Sequence, residues 1–253
     1  MKSFNSTKYF YHYTSLDALL KIISSKELKF GALPRMNDIT EATKEFYLDE
    51  IPESTEWDKL DLVRQKISFV GQISLSQDAI FPGYALHAMW GHYAECGEGC
   101  CIVFDKSKIM LEAEAKGYCH RAVIYDEASE KIILPSNQNV DNYLSEQCER
   151  LFFHKRIEWE HEQEYRLINF NCDHTTLNGL SINESIVAVI FHTNCNHRAL
   201  DCPKVKNCIS TLGNIPALEY HYSSMWGNKQ NNMLIDRHGN DWLVELQNTN
   251  IEI

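Results

Sequence analysis

The sequence predicts an α+β fold, and three observations lead to that prediction. Segments with the alternating pattern of strands recur along the 253 residues. Segments with helical spacing lie between them at irregular intervals, whereas a parallel sheet with crossover helices would need regular alternation. The composition, with 44% hydrophobic and 23% charged residues, is typical of a chain that buries a core. We therefore expect a single domain, with a core over residues 8–192 and a C-terminal extension over residues 193–253.

The first predicted element is a strand that leads directly into a helix. Residues 8–14 are rich in aromatic side chains, which favour strands. A helix of about three turns follows, because the next apolar residues have the spacing of one helix face. These residues are Leu16, Leu19, Leu20 and Ile23. A short return strand is predicted at 28–31.

The alternating pattern of strands and the spacing of helix faces also predict the remaining elements. Residues 41–61 carry eight acidic residues against two lysines and are predicted to form a solvated helical excursion. The Pro-Gly pair at 82–83 predicts a break between a strand and a helix. We expect strands at 67–76, 100–104, 118–125, 164–170, 186–191 and 242–246, and helices at 85–94 and 140–153.

Charge and hydropathy restrict the partners that we expect. The 24 Lys and Arg residues against 35 Asp and Glu give a net charge of −11, which repels phosphate backbones, so nonspecific binding to duplex DNA is not expected. No apolar stretch reaches the ~20 residues of a membrane helix, and the N-terminus lacks the apolar run of a signal peptide. The nine cysteines are interpreted as reduced thiols. We expect a cytoplasmic protein without a membrane partner.

Four glutamates occupy every second position from 158 to 164. If this segment is extended, all four carboxylates lie on one face. A solvated edge with local ion pairs is the structural alternative to a functional site. Glu164 differs from the others because it begins a predicted apolar strand. A carboxylate at the edge of an apolar core is unfavourable unless it has a partner or a function. Glu162 and Glu164 are therefore the candidates for chemistry.

Aromatic and polar residues elsewhere are candidates for binding a ligand. His12 and Tyr13 end the first strand, where they could hold a ribose hydroxyl and a flat ring, although a lone strand histidine is more often structural. Trp90 and Tyr93 share a helix face and could line a cleft or belong to the core. Asn37 lies in a predicted turn and could instead reach a ligand.

A metal site and the common nucleotide and hydrolase motifs are not expected. The His and Cys residues near the C-terminal end of the sequence could donate to a metal ion, but they include no Cys-x-x-Cys knuckle. We therefore predict no metal site there. No Walker or Rossmann glycine loop occurs, and no Gly-x-Ser-x-Gly elbow occurs. The late donors are His192, Cys195, His197 and Cys202.

Several short motifs together resemble a widespread bacterial family of unknown function. Their order and spacing span roughly residues 9–192. They are His12-Tyr13-Thr14, Asn37-Asp38, Leu75-Ser76, Trp90-x-x-Tyr93 and Trp159-x-x-Glu162-x-Glu164-Tyr165-Arg166.

The opening strand and helix are also similar to those of the histidine-type ADP-ribosyltransferases. This resemblance implies a split β-sandwich with inserted helices, NAD as the substrate, and ribose binding by the first strand. It implies that His12 binds the adenosine-side ribose, that Ser76 frames the nicotinamide, and that Tyr13, Trp90 or Tyr93 stacks on it. Thr14 and Asn37 are the other residues implied to bind NAD. Glu164 would drive transfer, and Glu162 would orient or deprotonate the acceptor. The Glu162–Glu164 pair resembles the Glu-x-Glu pair of the arginine-modifying members.

The implied function is transfer of ADP-ribose from NAD to an unknown protein or nucleic-acid acceptor, as in a toxin or a phage-defence effector. A carboxylate suits this reaction, because cleavage of the nicotinamide bond leaves a sugar with oxocarbenium character. Two adjacent carboxylates also raise each other's pKa, which would suit a base near neutrality. A binding module without catalysis and a metal-dependent hydrolase or nuclease are the alternatives.

Overall fold

The computed structural model describes residues 8–33, 46–48, 57–127, 132–135, 138–170, 179–193, 199–221, 233–236 and 238. The helices are α1 Leu16–Ser25, α2 Trp57–Ser68, α3 His87–Tyr93, α4 Lys106–Ala115, α5 Val140–Glu146, α6 Cys148–Phe152 and α7 Pro203–Thr211. The strands are β1 Tyr9–Thr14, β2 Glu27–Lys29, β3 Gly31–Ala32, β4 Phe46–Leu48, β5 Gly71–Gln77, β6 Cys100–Asp105, β7 Cys119–Ala122, β8 Ile124–Asp126, β9 Ile132–Leu134, β10 His154–Arg156, β11 Glu164–Asn169, β12 Gly179–Ser181, β13 Ile186–His192, β14 Ala217–His221 and β15 Met233–Asp236.

Within the described residues, nine strands form one mixed sheet, so the predicted α+β class is confirmed. The order is β15-β14-β13-β6-β1-β5-β11-β7, and β3 pairs with β5 off this path. The segment after residue 192 supplies β14 and β15 to this sheet. No helix in the described part of the chain is long and apolar enough to cross a membrane.

Two long ladders lie on either side of a short one between β1 and β5. β1 pairs with β6 over six residue pairs, and β5 pairs with β11 over six. In contrast, β1 and β5 pair only at Phe10–Gln77 and Tyr11–Ser76. Residues further along both strands, such as His12 and Ser74, line a cavity instead of continuing this ladder. The sheet therefore opens between β1 and β5.

Among the described residues, three buried apolar clusters hold the elements around this opening. One packs α1, α4 and α7 against a sheet face, and Phe10 and Leu167 lie in it. The second joins α2, α5 and α6. The third packs α3 against the opposite side of β1, where Tyr13 lies. The alternation of β1 thus sends Phe10 and Tyr13 into different clusters.

The structure corrects several predicted boundaries. The strand expected at 118–125 is two strands, β7 and β8, which pair with different partners. The helix expected at 140–153 is two helices, α5 and α6. In the acidic region, α2 begins at Trp57 and β4 lies at 46–48, while most of the region lies outside the described residues. The strand expected at 242–246 also lies outside them.

Candidate functional site

A cavity of about 440 Å³ lies where the sheet opens between β1 and β5. It is lined by residues from both strands, from α3, and from the turn that precedes β11. Six residues predicted from the sequence line it: His12, Tyr13, Ser76, Tyr93, Glu162 and Glu164. Trp90 and Thr14 are not among its lining residues, and Asn37 lies outside the described residues.

The two candidate carboxylates are buried and meet at one ammonium group. Glu162 and Glu164 are each only 3% exposed. The Lys155 Nζ donates to Glu162 Oε2 at 2.7 Å and lies 3.5 Å from Glu164 Oε2. The Tyr93 hydroxyl donates to Glu162 Oε1 at 2.7 Å. Buried charges of this kind require such partners, because isolated ions lose too much hydration energy.

Arg166 binds Glu164 through both carboxylate oxygens. Its Nε donates to Oε1 and its Nη2 donates to Oε2, each at 2.7 Å. Burial alone would raise the pKa of Glu164, but the Arg166 guanidinium and the Lys155 ammonium outweigh it and lower that pKa to about 2. Glu164 therefore stays ionised, and its pairing with Glu162 does not raise its pKa toward neutrality.

The segment that carries the glutamates is not extended. Residues Ile157–Glu162 form a 3₁₀ helix, and Gln163 has a left-handed backbone with φ of 48° before β11 begins. Glu158 and Glu160 consequently lie exposed, while Glu162 and Glu164 turn inward. The predicted face of four carboxylates is wrong, because the tight turn replaces the two-residue period by a helical one.

His12 lines the cavity, and its ring contacts the backbone of β5. Its ring is half-buried, and its Nδ1 lies 3.3 Å from the carbonyl oxygen of Ser74. Because a carbonyl only accepts, the proton of a neutral ring lies on Nδ1 and leaves Nε2 as the acceptor. Burial lowers the pKa of His12, and the bond to Ser74 opposes this only in part. A neutral imidazole of this kind suits a ribose hydroxyl.

Polar side chains of β5 form another wall of the cavity. Gln72, Ser74 and Ser76 lie on one face by strand alternation, and all three line it. The Gln72 Nε2 donates to Ser74 Oγ at 2.8 Å and to Glu164 Oε1 at 3.3 Å. Within the described residues, Gln72 Oε1 and Ser76 Oγ have no hydrogen-bond partner. Unsatisfied buried groups are uncommon and often mark a place for water or a ligand.

Trp90 belongs to the aromatic core beside the cavity. It is 3% exposed, and its Nε1 donates to the Tyr84 carbonyl at 2.9 Å. Its ring makes an edge contact with Tyr13 at 5.1 Å and stacks on Tyr220 at 6.2 Å. The structure thus separates the predicted Trp90–Tyr93 pair, because only Tyr93 faces the cavity.

The described residues offer no metal site. No group of three or more His, Cys, Asp and Glu in this part of the chain could hold an ion. In the late donor set, Cys195 and His197 lie outside the described residues.

Sequence reasoning missed Lys155, Gln72 and Ser74 as members of the site. The alternation of Gln72, Ser74 and Ser76 among apolar residues is a signal that could have found the β5 wall. No such signal marks Lys155, whose position depends on how β10 pairs with β8.

Comparison with known proteins gives a family match in the part of the chain that carries the carboxylates. Residues 89–167 match the model of a protein family of unknown function (DUF2971). The matched segment contains Tyr93, Lys155, Glu162 and Glu164, but not His12. No curated protein and no solved structure matches the chain. The resemblance to a family of unknown function is thus supported over these residues, and the resemblance to ADP-ribosyltransferases stays a prediction.

Proposed function

We propose that the protein is an NAD-consuming enzyme of the ADP-ribosyltransferase type. One observation carries the proposal: His12, Ser76 and the Glu162–Glu164 pair line one cavity from β1, β5 and the start of β11. These three strands are neighbours in the sheet. The cavity volume of about 440 Å³ lies within the range of about 300–1,000 Å³ that is usual for small-molecule sites.

Glu162 is the carboxylate that we assign to the reacting sugar. An ionised carboxylate has about four acceptor positions, and the two contacts from Tyr93 and Lys155 leave capacity for a ligand hydroxyl. When the bond between the ribose C1′ and the nicotinamide nitrogen breaks, its electron pair leaves with nicotinamide. The negative charge of Glu162, reinforced by ionised Glu164, stabilises the sugar cation that remains.

The second half of the reaction needs a proton acceptor. A nucleophilic oxygen or nitrogen of the acceptor molecule, or of water, forms the new bond to C1′. Its proton passes to Glu162, which is within the cavity and so can act as the base. His12 holds a ribose hydroxyl through its Nε2 acceptor, and the Tyr93 hydroxyl keeps Glu162 in place.

Nicotinamide release by the purified protein tests the proposal. The wild-type protein is expected to consume NAD, and Glu162→Gln is expected to lower the turnover rate by about 100-fold or more, since general acid–base groups contribute about 10²–10⁴. Glu160→Gln is the matched control, because Glu160 lies exposed in the same turn and does not line this cavity.

Absence of nicotinamide release by the wild-type protein, with protein, DNA and RNA fractions offered as acceptors, would remove the proposal. Equal turnover by the Glu162→Gln and Glu160→Gln proteins would remove the role of Glu162. Labelled NAD in the same incubations identifies the acceptor class.

A second candidate is a nucleotide-binding protein without turnover. It is favoured by the bidentate contact between Glu164 and Arg166, which occupies both oxygens of that carboxylate. This candidate predicts that calorimetry detects NAD binding while no nicotinamide is released.

A further inference from the structure

Lys29 lies at the cavity and on the solvent side of its strand. It ends β2, it is exposed, and it is one of the lining residues. The next residue, Phe30, is buried in the main apolar cluster, and Gly31 then lines the cavity through backbone atoms alone. This alternation fixes the direction of the Lys29 side chain, because successive residues of an extended chain face opposite sides.

Each glutamate of the cavity already has a cation of its own. Glu162 is paired with Lys155, and Glu164 is paired with Arg166. With the histidines counted as neutral, the positive charge of Lys29 remains, and no ion pair of Lys29 is present within the described residues.

We propose that Lys29 forms the subsite for the diphosphate of a nucleotide ligand. The uncancelled ammonium attracts an anion to this edge of the cavity, while the carboxylates and His12 contact the sugar further inside. Backbone atoms of Gly31 allow close approach, because no side chain projects there. This subsite deepens the proposed function, since the diphosphate would be that of NAD.

Binding of ADP-ribose and of adenosine, measured by calorimetry without turnover, tests the subsite. Lys29→Gln is expected to weaken ADP-ribose binding about tenfold, in the range of a hydrogen bond to a charged group, and to leave adenosine binding unchanged. Lys29→Arg is expected to retain the affinity for ADP-ribose. Lys21→Gln is the matched control, because Lys21 is exposed on α1 and does not line the cavity.

Salt provides a second measurement. Raising the NaCl concentration is expected to weaken ADP-ribose binding to the wild-type protein more than to the Lys29→Gln protein. Salt screens the attraction between Lys29 and the diphosphate, and the Lys29→Gln protein lacks this attraction. Equal ADP-ribose affinities of the Lys29→Gln and Lys21→Gln proteins would overturn the subsite. Inorganic diphosphate binding as tightly as ADP-ribose would also overturn it, in favour of a site for the free anion.

The outcomes separate this inference from the proposed function. ADP-ribose binding that depends on Lys29, together with no nicotinamide release, would support the subsite and remove catalysis. Nicotinamide release together with no effect of Lys29→Gln on ADP-ribose binding would support catalysis and remove the subsite.

Discussion

Glu164 keeps its charge in a buried position because two cations neutralise it. Its side chain lies 3% exposed, and the bidentate contact with Arg166 fixes the positions of both oxygens. Arg166 is itself only 1% exposed and also donates to the carbonyl of Phe152 at 2.7 Å. Removing either partner would strongly lower the free energy of unfolding, because the remaining ion would be buried and uncompensated.

This pair predicts a loss of stability in acid. The pKa of Glu164 is about 2 in the folded chain, below the value of about 4.3 expected for an unfolded glutamate. A lowered pKa means that the unfolded chain binds protons first. The contribution of Glu164 to the free energy of unfolding is therefore complete above about pH 4.3 and is lost as the pH falls toward 2.

Urea unfolding from pH 7 to pH 3 measures this contribution. Glu164→Gln is expected to lower the free energy of unfolding at pH 7 by about 3 kcal/mol or more, because Arg166 loses its partner. The same substitution should flatten the dependence of stability on pH below about 4.3. Glu160→Gln should retain the wild-type profile, and an equally steep profile for Glu164→Gln would contradict the assignment.

At the residue scale, the order of motifs along the chain brings several predicted site residues to one cavity. His12, Ser76, Glu162 and Glu164 all line one cavity. Trp90 shows the limit, because helical spacing places it near Tyr93 but does not decide which residue faces the core. That choice depends on Tyr220, which comes from a strand more than 120 residues away.

At the scale of elements, Gln163 joins the turn before β11 to the loop that follows β5. Its Nε2 donates to the carbonyls of Gln77 and Phe81, each at 2.8 Å, and its Oε1 accepts from Phe81 N–H at 2.9 Å. Gln163 lies between the two carboxylates of the site and is 5% exposed. The loop therefore helps to fix the position of Glu162 and Glu164.

Gln163→Leu is expected to lower the free energy of unfolding by about 3 kcal/mol, since three hydrogen bonds are lost at about 1 kcal/mol each. Proteolysis within residues 78–86 should become faster. Gln138→Leu is the control, because Gln138 makes an exposed bond to Glu146. Thermal unfolding measures both variants, and equal effects would show that the Gln163 bonds do not hold the loop.

The elements that the sequence predicted best have a strong, local pattern. β6, β11 and β13 lie within one residue of their predicted bounds. The segment 118–125 was predicted as one strand, but its backbone divides at Val123. There the Val123 N–H donates to the Glu164 carbonyl, and the Ile124 N–H donates to the Phe153 carbonyl. Partners from distant segments decide this break, so no local pattern could predict it.

At the scale of the whole molecule, the segment after residue 192 completes both the sheet and the core. β14 pairs in parallel with β13, and β15 pairs with β14. The α7 side chains of Val205 and Cys208 lie in the same apolar cluster as Leu19 of α1. The core was predicted to end at residue 192, but in the structure later residues belong to the same apolar cluster and the same sheet.

A chain cut after residue 192 is expected not to fold cooperatively. Of the described residues, it would lose seven buried apolar side chains, and burial of one such side chain contributes about 1.5–3 kcal/mol. These are Leu200, Val205, Cys208, Leu212, Leu218, Tyr220 and Leu234. The sum reaches the usual stability of a domain, about 5–15 kcal/mol. The cut would also leave the hydrogen-bonding edge of β13 unpaired.

Circular dichroism and urea unfolding of the 1–192 chain test this expectation, with a 1–238 chain as the control because it retains every described residue. The control should unfold in one cooperative transition, whereas the shorter chain should aggregate or show a broad one. A cooperative, monomeric 1–192 chain would show instead that the later segment is an addition to a self-sufficient core. In that case the cavity residues, which all precede 165, should retain ADP-ribose binding in the shorter chain.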